Sequence, residues 1–413
     1  MQVYNTVNLD HSDLVHDVAY DYYGQSLASC SSDHRIKVWV KNTSMASANS
    51  NQPDEAWICT DDWTAHQGPV WKLQWAHPQY GRILASCSFD RTVAIWEELN
   101  HESSTSDSTA TSRKSNWKLR TRRDSQEPVH DIAFAPRSLG LQLATVSGDG
   151  YVRIYKPDDA SNLEYWHETS FDAVVTTPSN GGNSSSSSSS TISSGLAMNN
   201  KRARELTSVA WCQAHFCPPM LAVAAKDGSI RIWAFNERFE RWQVVHNLVG
   251  HTAAVHSIAW APDTGRSYHL LASASSDSSV RIWGIAKSGD QSDAPEGTTE
   301  KKNAESGSGG NGGNGGNGDN GGNGGNGGSG ASSSSNSHRS SAIVQQAKFV
   351  RENAHGEGKE VWRVQWDISG MQLASSGDDG QVRLWRKKLQ GLHFENFETI
   401  NSQFEPTRNI EEN

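Results

Sequence analysis

One pattern recurs six times along the 413-residue chain: an Asp with a Leu six residues before it and a Trp or Tyr six residues after it. An Ala follows the Leu in every copy. Six copies with both spacings unchanged predict one structural unit repeated along the chain. The sets are Leu27, Asp33 and Trp39; Leu84, Asp90 and Trp96; Leu143, Asp149 and Tyr155; Leu221, Asp227 and Trp233; Leu271, Asp277 and Trp283; and Leu373, Asp379 and Trp385.

The second copy shows what this unit is. Residues 70–98 hold three short apolar runs, VWKLQW, ILASCS and TVAIW, and turn residues such as Pro78 and Asp90 separate them. Such runs predict three antiparallel strands joined by tight turns. A sheet this small cannot bury both of its faces, so it must stack against copies of itself. The six first strands are predicted to begin at Val15, Val70, Val129, Leu206, Val255 and Val361.

Four polar segments, 42–56, 99–116, 171–205 and 286–346, interrupt the repeats. They lack apolar periodicity, so we predict disordered insertions that cannot bury enough surface to offset chain ordering. Removing them leaves 42, 41, 43, 50 and 41 residues between successive repeat Asp residues, close to the roughly 40–45 of a WD-repeat propeller blade. The chain is therefore predicted to be all-β, a single six-bladed WD-repeat β-propeller over 1–413. Its blade cores are expected at about 9–41, 57–98, 117–170, 206–245, 246–285 and 347–400.

Charge and cysteine content exclude several classes of function. A net charge of -9 and a pI near 6.0 supply no general electrostatic reason to bind nucleic acid or an anionic membrane. No run of about 18 apolar residues exists, so we expect no membrane span. The five cysteines fit buried packing in a reducing compartment. Cys212 and Cys217 lack a second ligand pair, so we expect no metal, and no cofactor motif stands out.

Four repeats carry a His, a Ser and an Asp together with the Trp. In WD repeats, which this chain resembles, these four residues form a buried hydrogen-bonded chain. The same residue types make catalytic triads, but an active site does not recur once per blade, so we predict structural tetrads, no catalytic residue and no enzyme. The sets are His11, Ser29, Asp33 and Trp39; His66, Ser86, Asp90 and Trp96; His251, Ser273, Asp277 and Trp283; and His355, Ser375, Asp379 and Trp385.

The third and fourth repeats depart from this pattern. Ser125 and Arg202 stand where the other repeats have His. Tyr155 replaces the Trp of the third repeat, and Val223 replaces the hydroxyl residue of the fourth. We therefore expect these two blades to be the least rigid.

A narrower resemblance rests on longer fragments. The stretches AHPQYGRILASCSFDRTVAIWEE, VWRVQWDISG, SSGDDGQVRLW and APDTGRSYHLLA resemble the Seh-type WD-repeat nucleoporins. The Sec-thirteen propeller of vesicle coats is a close paralogue and shares the WAHP and ILASCS motifs. The SFDRT motif and the GRSYH turn favour the Seh type. The insertions at 171–205 and 286–346 have no counterpart in the resemblance.

The resemblance implies a structural scaffold of the nuclear pore complex, within its Y-shaped outer-ring subcomplex, that supports transport of protein and mRNA. It also implies a second membership, in a vacuolar or lysosomal coat-like complex that regulates nutrient (TOR) signalling. Implied partners are an α-helical scaffold nucleoporin, other Y-complex nucleoporins and coat-like complex subunits. No direct nucleic acid contact is expected, and membrane contact only through the assembly. A COPII-type cage propeller and a substrate-recognition propeller are the alternatives.

Closure of the ring is the last question that the sequence raises. QVYNTV, before His11, has the position of an outer strand, and so has LHFENFETI at 392–400. That makes seven candidate outer strands for six three-strand sets, so the ring need not close on itself. Bare strand edges recruit added strands. In the Seh-type family an α-helical scaffold nucleoporin donates a blade in trans, so we expect an open propeller completed by a partner-donated seventh blade.

Overall fold

The computed structural model describes residues 7–42, 56–99, 116–160, 162–174, 205–213, 218–287, 349–351, 354–388 and 394–401. These residues form 24 strands and two single-turn 3₁₀ helices, Pro78–Tyr80 and Arg137–Leu139, with no α-helix among them. The strands make six four-stranded sheets, each from four consecutive strands. The predicted all-β, six-bladed propeller is thereby confirmed.

The first three blades occupy the N-terminal half. Blade 1 contains β1 (Val15–Tyr20), β2 (Ser26–Ser31), β3 (Arg35–Asn42) and β4 (Ala56–Thr64). Blade 2 contains β5 (Val70–Trp75), β6 (Ile83–Ser88), β7 (Thr92–Glu98) and β8 (Trp117–Asp124). Blade 3 contains β9 (Val129–Phe134), β10 (Leu143–Ser147), β11 (Tyr151–Asp159) and β12 (Asn162–Asp172).

The other three blades follow in the same order. Blade 4 contains β13 (Leu206–Trp211), β14 (Met220–Ala225), β15 (Ile230–Asn236) and β16 (Arg241–Leu248). Blade 5 contains β17 (Val255–Trp260), β18 (Tyr268–Ser275), β19 (Val280–Ala286) and β20 (Phe349–Arg351). Blade 6 contains β21 (Val361–Trp366), β22 (Gln372–Gly377), β23 (Gln381–Lys387) and β24 (Phe394–Asn401).

The observed sheets begin and end at other residues than the predicted blade cores. β4 pairs with β3, β8 with β7 and β20 with β19, so each pairs with the third strand of its own blade. The expected cores 57–98, 117–170 and 347–400 therefore each open with a strand that belongs to the preceding sheet. The reason is hydrogen bonding: the outer strand completes the ladder of the third strand, and only afterwards does the chain cross to the next blade.

The third insertion begins later than predicted. β12 continues to Asp172, and Phe171 packs 4.7 Å from Trp233 and 5.7 Å from Trp242, measured between ring centroids. Ala173 is fully buried. These apolar contacts with blade 4 keep residues 171–174 in the fold, although their sequence resembles the insertion that follows. The predicted disorder of the remaining insertions falls almost wholly outside the described residues.

Apolar packing between neighbouring blades forms five separate cores, between blades 1 and 2, 2 and 3, 3 and 4, 4 and 5, and 5 and 6. In each core the first strand of one blade packs against the second and third strands of the blade before it. Side chains of one inner strand also accept hydrogen bonds from the next, as Asp17 does from the Leu73 amide at 3.0 Å and Asp131 from the Val209 amide at 3.0 Å.

The last blade obtains its outer strand from the C-terminal part of the chain. β24 pairs with β23 from Lys387↔Phe394 to Gln381↔Asn401. The second candidate for this position, QVYNTV, lies outside the described residues except for Val7. Blade 6 is thus complete without an N-terminal strand, and no described strand from one end of the chain pairs with the other end.

Candidate functional site

The four predicted tetrads place their side chains in one repeated geometry. In blade 1, His11 Nδ1 lies 2.9 Å from Asp33 Oδ2, and His11 Nε2 lies 2.9 Å from Ser29 Oγ. The Trp39 indole N–H donates to the same Ser29 Oγ at 3.1 Å. Because a carboxylate only accepts, Nδ1 carries the imidazole proton and Nε2 accepts from the serine. Equivalent contacts occur around His66, His251 and His355.

The second tetrad has one additional member. His66 Nδ1 is 2.8 Å from Thr92 Oγ1 and 3.3 Å from Asp90 Oδ2. Thr92 Oγ1 in turn donates to Asp90 Oδ1 at 2.7 Å. Burial alone would raise the pKa of Asp90, but the hydrogen bonds from His66 and Thr92 outweigh it and hold the pKa well below its ordinary value. Burial lowers the pKa of His66, so the imidazole stays neutral.

These contacts have the connectivity of a hydrolase triad without its accessibility. The serine hydroxyls are buried in the β-sheets, with Ser29, Ser86 and Ser273 at 0% exposure. Each also accepts a hydrogen bond from an indole N–H and donates its own proton to the imidazole, so it is held on both sides within the tetrad. Attack on a substrate needs an exposed nucleophile beside an oxyanion site. The geometry instead satisfies polar groups between the turn and the sheet.

Blade 3 replaces the missing histidine with an arginine that the sequence analysis did not single out. Arg153 Nη2 donates to Asp149 Oδ2 at 2.6 Å, and Nη1 donates to Ser147 Oγ at 2.9 Å. Ser147 Oγ also donates to Asp149 Oδ1 at 2.6 Å. The guanidinium is largely buried. It contacts both the Asp and the Ser of its repeat, as the imidazole does in the tetrads. An Arg four residues after the repeat Asp was the available signal, but the fourth repeat has one as well, Arg231, so the signal alone does not separate the two blades.

Blade 4 has no such replacement. Asp227 accepts from the Ser229 amide and hydroxyl, while Arg231 Nη2 stays 3.9 Å from its carboxylate. Val223 pairs with Arg231 at the position that Ser29 occupies in blade 1. The buried Trp233 Nε1 consequently has no hydrogen-bond acceptor in the part of the chain that the structure describes. Arg202, the other departure, lies outside that part.

Replacing Val223 with threonine should be nearly neutral for stability. The new hydroxyl can accept from Trp233 Nε1, which offsets the roughly 1–3 kcal/mol of leaving that buried donor unpaired. Val146 is likewise buried, in the apolar core between blades 3 and 4, so Val146→Thr would place a hydroxyl among apolar side chains and should cost about 1–2 kcal/mol. Urea unfolding of both variants measures the difference. Equal losses would show that the Trp233 N–H does not need an acceptor.

Stability should fall as the pH drops from about 6.5 to about 4. Burial lowers the pKa of His66 and His355, and it lowers that of His269 to about 4. In this window the unfolded chain binds protons that the folded chain does not, so acid favours unfolding. Below it the carboxylates Asp90 and Asp277 continue the trend, since their folded pKa values are depressed. Urea unfolding measured across this pH window should show that the free energy of unfolding depends less steeply on pH in His269→Gln than in the unchanged protein. An unchanged pH dependence would contradict the lowered pKa of His269.

The junction between blade 6 and blade 1 differs from the other five. Val15 is 42% exposed and Val18 is 43% exposed on β1. Their counterparts on the inner strands of blades 2 to 6 are at most 5% exposed, because each packs on the preceding blade. The counterparts are Val70 and Leu73, Val129 and Ile132, Leu206 and Val209, Val255 and Ile258, and Val361 and Val364.

The facing wall on blade 6 is exposed as well. Val382 of β23 is 37% exposed, whereas the residues at its position in blades 1 to 5 are at most 1% exposed. Ala374 and Leu384, at positions that are buried in the other blades, are only partly buried. No apolar core among the described residues joins blade 6 to blade 1. The counterparts of these two sheet faces pack together at the other five junctions, whereas here both faces are exposed.

One polar contact spans this junction at its inner end. Arg363 Nη1 lies 2.8 Å from Asp17 Oδ1, and Nη2 donates to the His16 carbonyl at 3.2 Å. Asp17 is 7% exposed and already accepts from Leu73. The long arginine reaches across a gap that shorter side chains such as Ser208 and Ser257 bridge at other junctions. The ring is thus tied beside the inner strands and open farther out.

Other kinds of site have little support in the described residues. They contain no group of three His, Cys, Asp or Glu side chains arranged to hold a metal ion. None of their helices is long and apolar enough to cross a membrane. Cys30 and Cys87 are fully buried free thiols whose pKa values burial raises well above the ordinary value. Cys217 lies outside the described residues.

The repeated sequence pattern and the six-bladed fold, with its open junction, define the class of this protein as a WD-repeat β-propeller. The profile of the family "WD domain, G-beta repeat" matches residues 4–40, 54–97, 242–284 and 347–386. The matched residues do not include Asp149 or Asp227, the turn residues of the two repeats that lack His.

Comparison with curated proteins gives the particular family. The chain is 35% identical over 396 residues to nucleoporin SEH1-A of Xenopus laevis, covering 94% of this chain and 85% of that protein. It is 36% identical to nucleoporin SEH1 of Homo sapiens, with the same two coverages. The chain belongs to the SEH1 nucleoporin family, as the resemblance of its repeats indicated.

A solved structure supports the fold alone. Sqt1 of Chaetomium thermophilum, crystallised with the N-terminus of the ribosomal protein L10, aligns with a TM-score of 0.54 at 16% identity. The alignment covers 95% of this chain and 75% of that chain. Identity this low transfers the propeller architecture and nothing about what is bound.

Proposed function

We propose that this protein is a structural scaffold subunit of the nuclear pore complex, within its Y-shaped outer-ring subcomplex, and that it has no catalytic role. Family membership supports the pore assignment, because the relatives are nucleoporins along 94% of this chain. The buried tetrads support the absence of chemistry, because their hydroxyls are shielded and already hydrogen-bonded. Transport of protein and mRNA would depend on the assembly that the scaffold maintains.

The open junction is the observation that carries a specific mechanism. A strand-rich segment of an α-helical scaffold nucleoporin would insert between blades 1 and 6 as a seventh blade. It would cover Val15 and Val18 on one side and Val382 on the other, which are the exposed side chains that the other five junctions bury. Full burial of such side chains stabilises by roughly 1.5–3 kcal/mol each. Apolar sheet faces left bare also favour aggregation, so the lone chain should self-associate.

The location of the insertions is compatible with this arrangement. Residues 43–55, 100–115 and 288–348 each connect a third strand to an outer strand. Residues 175–204 connect blade 3 to blade 4. The described residues that flank these segments belong to blades 1 to 5, and none of them lies on β1, β22 or β23. The face available to a partner is therefore set by β1, β22 and β23.

The same propeller would also serve a coat-like complex at the vacuolar or lysosomal membrane that regulates nutrient signalling. The membrane would be reached only through the assembly. Nucleic acid is not a proposed ligand, because the chain carries a net charge of -9. The same open junction would accept the equivalent blade of a different α-helical subunit in this second assembly.

The deciding experiment is affinity purification of the endogenously tagged protein, with mass spectrometry and imaging of the tag. We expect co-purification of outer-ring nucleoporins and a signal at the nuclear rim, with a second pool on vacuoles or lysosomes. Recovery of vesicle-coat cage subunits with a signal at export sites would overturn the pore assignment in favour of the coat paralogue. Recovery of pore subunits alone would retain the pore role and remove the second one.

A test of the mechanism compares the protein expressed alone and together with its α-helical partner. Analytical ultracentrifugation should show self-association of the lone chain and a discrete one-to-one complex. The complex should also melt at a higher temperature, because a ligand that binds only the folded state stabilises it. A monodisperse lone protein that gains no thermal stability from the partner would count against an inserted blade.

A further inference from the structure

All six inner strands carry a β-bulge at their second residue. The register shifts between the first and third residues of each strand, as between Val70 and Lys72 in β5 and between Val361 and Arg363 in β21. A bulge re-aims the side chain that it displaces. The displaced residues all lie at the end of the blades where the repeat-Asp turns are found: His16, Trp71, His130, Thr207, His256 and Trp362.

Two of these residues are tryptophans in ring contact with a histidine of the preceding blade, tilted at 43° for Trp71 and stacked at 27° for Trp362. The Trp71 ring lies 4.6 Å from the His16 ring, and the Trp362 ring lies 4.1 Å from the His256 ring. The two sites differ on the other side of the indole. Trp71 also contacts Phe89 at 6.5 Å between ring centroids, whereas Trp362 is 46% exposed and has no second ring contact among the described residues.

Carboxylates surround the exposed indole. The Trp362 Nε1–H donates to Asp378 Oδ1 at 2.5 Å. Glu360 Oε2 lies 3.1 Å from His256 Nε2 and accepts from Ser276 Oγ at 3.2 Å. In the other tryptophan site these two positions are occupied by Phe89 and Pro69, so only the Trp362 site is acidic.

Within the described chain, Glu360 contacts one titratable basic group, the imidazole Nε2 of His256 at 3.1 Å, which neutralises its charge only when protonated. Neither Glu360 nor Asp378 forms an ion pair with a Lys or Arg there, although other carboxylates do so, as Glu205 does with Lys226. Arg363, the next residue along, is engaged with Asp17. Lys359 is exposed and pairs with neither carboxylate. An open indole face beside two carboxylates attracts a cation through the ring quadrupole and through charge.

We propose that Trp362, Glu360 and Asp378 form a binding site for an arginine side chain in a basic linear segment of a partner protein. A guanidinium fits better than an ammonium, because it is planar, stacks on an indole and donates two parallel hydrogen bonds to a carboxylate. The stack on His256 holds the indole in place before binding. The site lies at the turn end of blade 6 and does not require the junction with blade 1 to be filled.

The test uses ¹⁹F NMR of the full chain labelled with 5-fluorotryptophan, alone or bound to its blade-donating partner. Trp362→Phe and Trp71→Phe assign the two resonances. The probe is the peptide acetyl-Ser-Gly-Arg-Gly-Arg-Gly-Ser-amide, with citrulline and lysine versions as controls, since citrulline keeps the shape of arginine without its charge. We expect a saturable shift of the Trp362 resonance with the arginine peptide, a weaker one with lysine, and none with citrulline.

The Trp71 site is the matched control within the same molecule, and its resonance should stay in place. Glu360→Gln with Asp378→Asn should weaken binding about tenfold or more, an amount typical of losing a charge-assisted contact. The dispersed ¹⁹F spectrum of that variant verifies that it remains folded. Equal shifts with the citrulline peptide, equal shifts at Trp71, or undiminished binding to the double variant would each overturn the proposal. A Trp362 resonance that does not respond to the arginine peptide would do the same.

Discussion

Val18→Asp should abolish binding of the blade-donating partner while leaving the free propeller folded. Val18 is 43% exposed in the chain alone, so a carboxylate there remains hydrated and costs little. An inserted blade would bury that carboxylate against an apolar sheet without a partner charge, which is strongly unfavourable. We expect a loss of affinity of at least about a hundredfold, equivalent to about 2.7 kcal/mol. Isothermal titration with the purified partner segment measures it.

Val245→Asp is the matched control for this substitution. Val245 is also 43% exposed, but it lies on β16 at the outside of blade 4, away from the open junction. The same change there should leave binding within about threefold, or less than about 0.7 kcal/mol. Val382→Asp tests the opposite wall and should behave like Val18→Asp. If Val18→Asp and Val245→Asp bind equally well, the partner does not use the junction.

Asp90→Ala should destabilise the propeller far more than Asp227→Ala. Asp90 accepts from Thr92, from the Gln67 amide and from the buried imidazole of His66. Its removal leaves the Thr92 hydroxyl and the Gln67 amide without their acceptor. The His66 imidazole loses the carboxylate and keeps only its contact with Thr92, so the change should cost roughly 1–3 kcal/mol. Asp227 contacts Ser229, with no histidine partner in the described part of the chain, so its loss should cost less than about 1 kcal/mol.

Thermal and urea unfolding of the two variants measure this difference. For a domain of this size roughly 1 kcal/mol moves the midpoint by about 2 °C, so Asp90→Ala should melt several degrees below Asp227→Ala. A double-mutant cycle with His66→Ala separates the network from other effects, since contacting residues are not additive. Equal destabilisation by the two Asp substitutions, or additivity with His66→Ala, would contradict the assignment of the tetrads.

The arginine network gives blade 3 polar contacts at its turn despite the missing histidine; that blades 3 and 4 are the least rigid stays a prediction. Arg153 supplies the contacts to Asp149 that an imidazole supplies elsewhere. Blade 4, by contrast, retains a Trp233 indole N–H without an acceptor among the described residues, and the Arg231 guanidinium stays 3.9 Å from Asp227. Of the two blades that depart from the repeat, the fourth is therefore the one in which we expect the lowest local stability.

Most of the fold could be predicted from the sequence, because its determinants are local. Alternating apolar residues and turn residues at fixed spacing specify short antiparallel strands, and all six first strands begin at the predicted residues. The tetrads could be located for the same reason, since His66, Ser86, Asp90 and Trp96 occupy fixed offsets within one repeat. The family could be recognised because its longer motifs lie within single blades.

Only the tertiary structure decided the features that depend on contacts between distant parts of the chain. The exposure of Val18 and Val382 follows from the way the first and last blades meet, and their sequences look like those of buried strands elsewhere. The direction of the Trp362 side chain follows from a β-bulge, which the alternation of apolar and polar residues in the sequence does not reveal. The repeat determined how each blade is built, because strand pairing is local. Whether blade 6 packs against blade 1 depends on packing around the whole ring, which no single repeat determines.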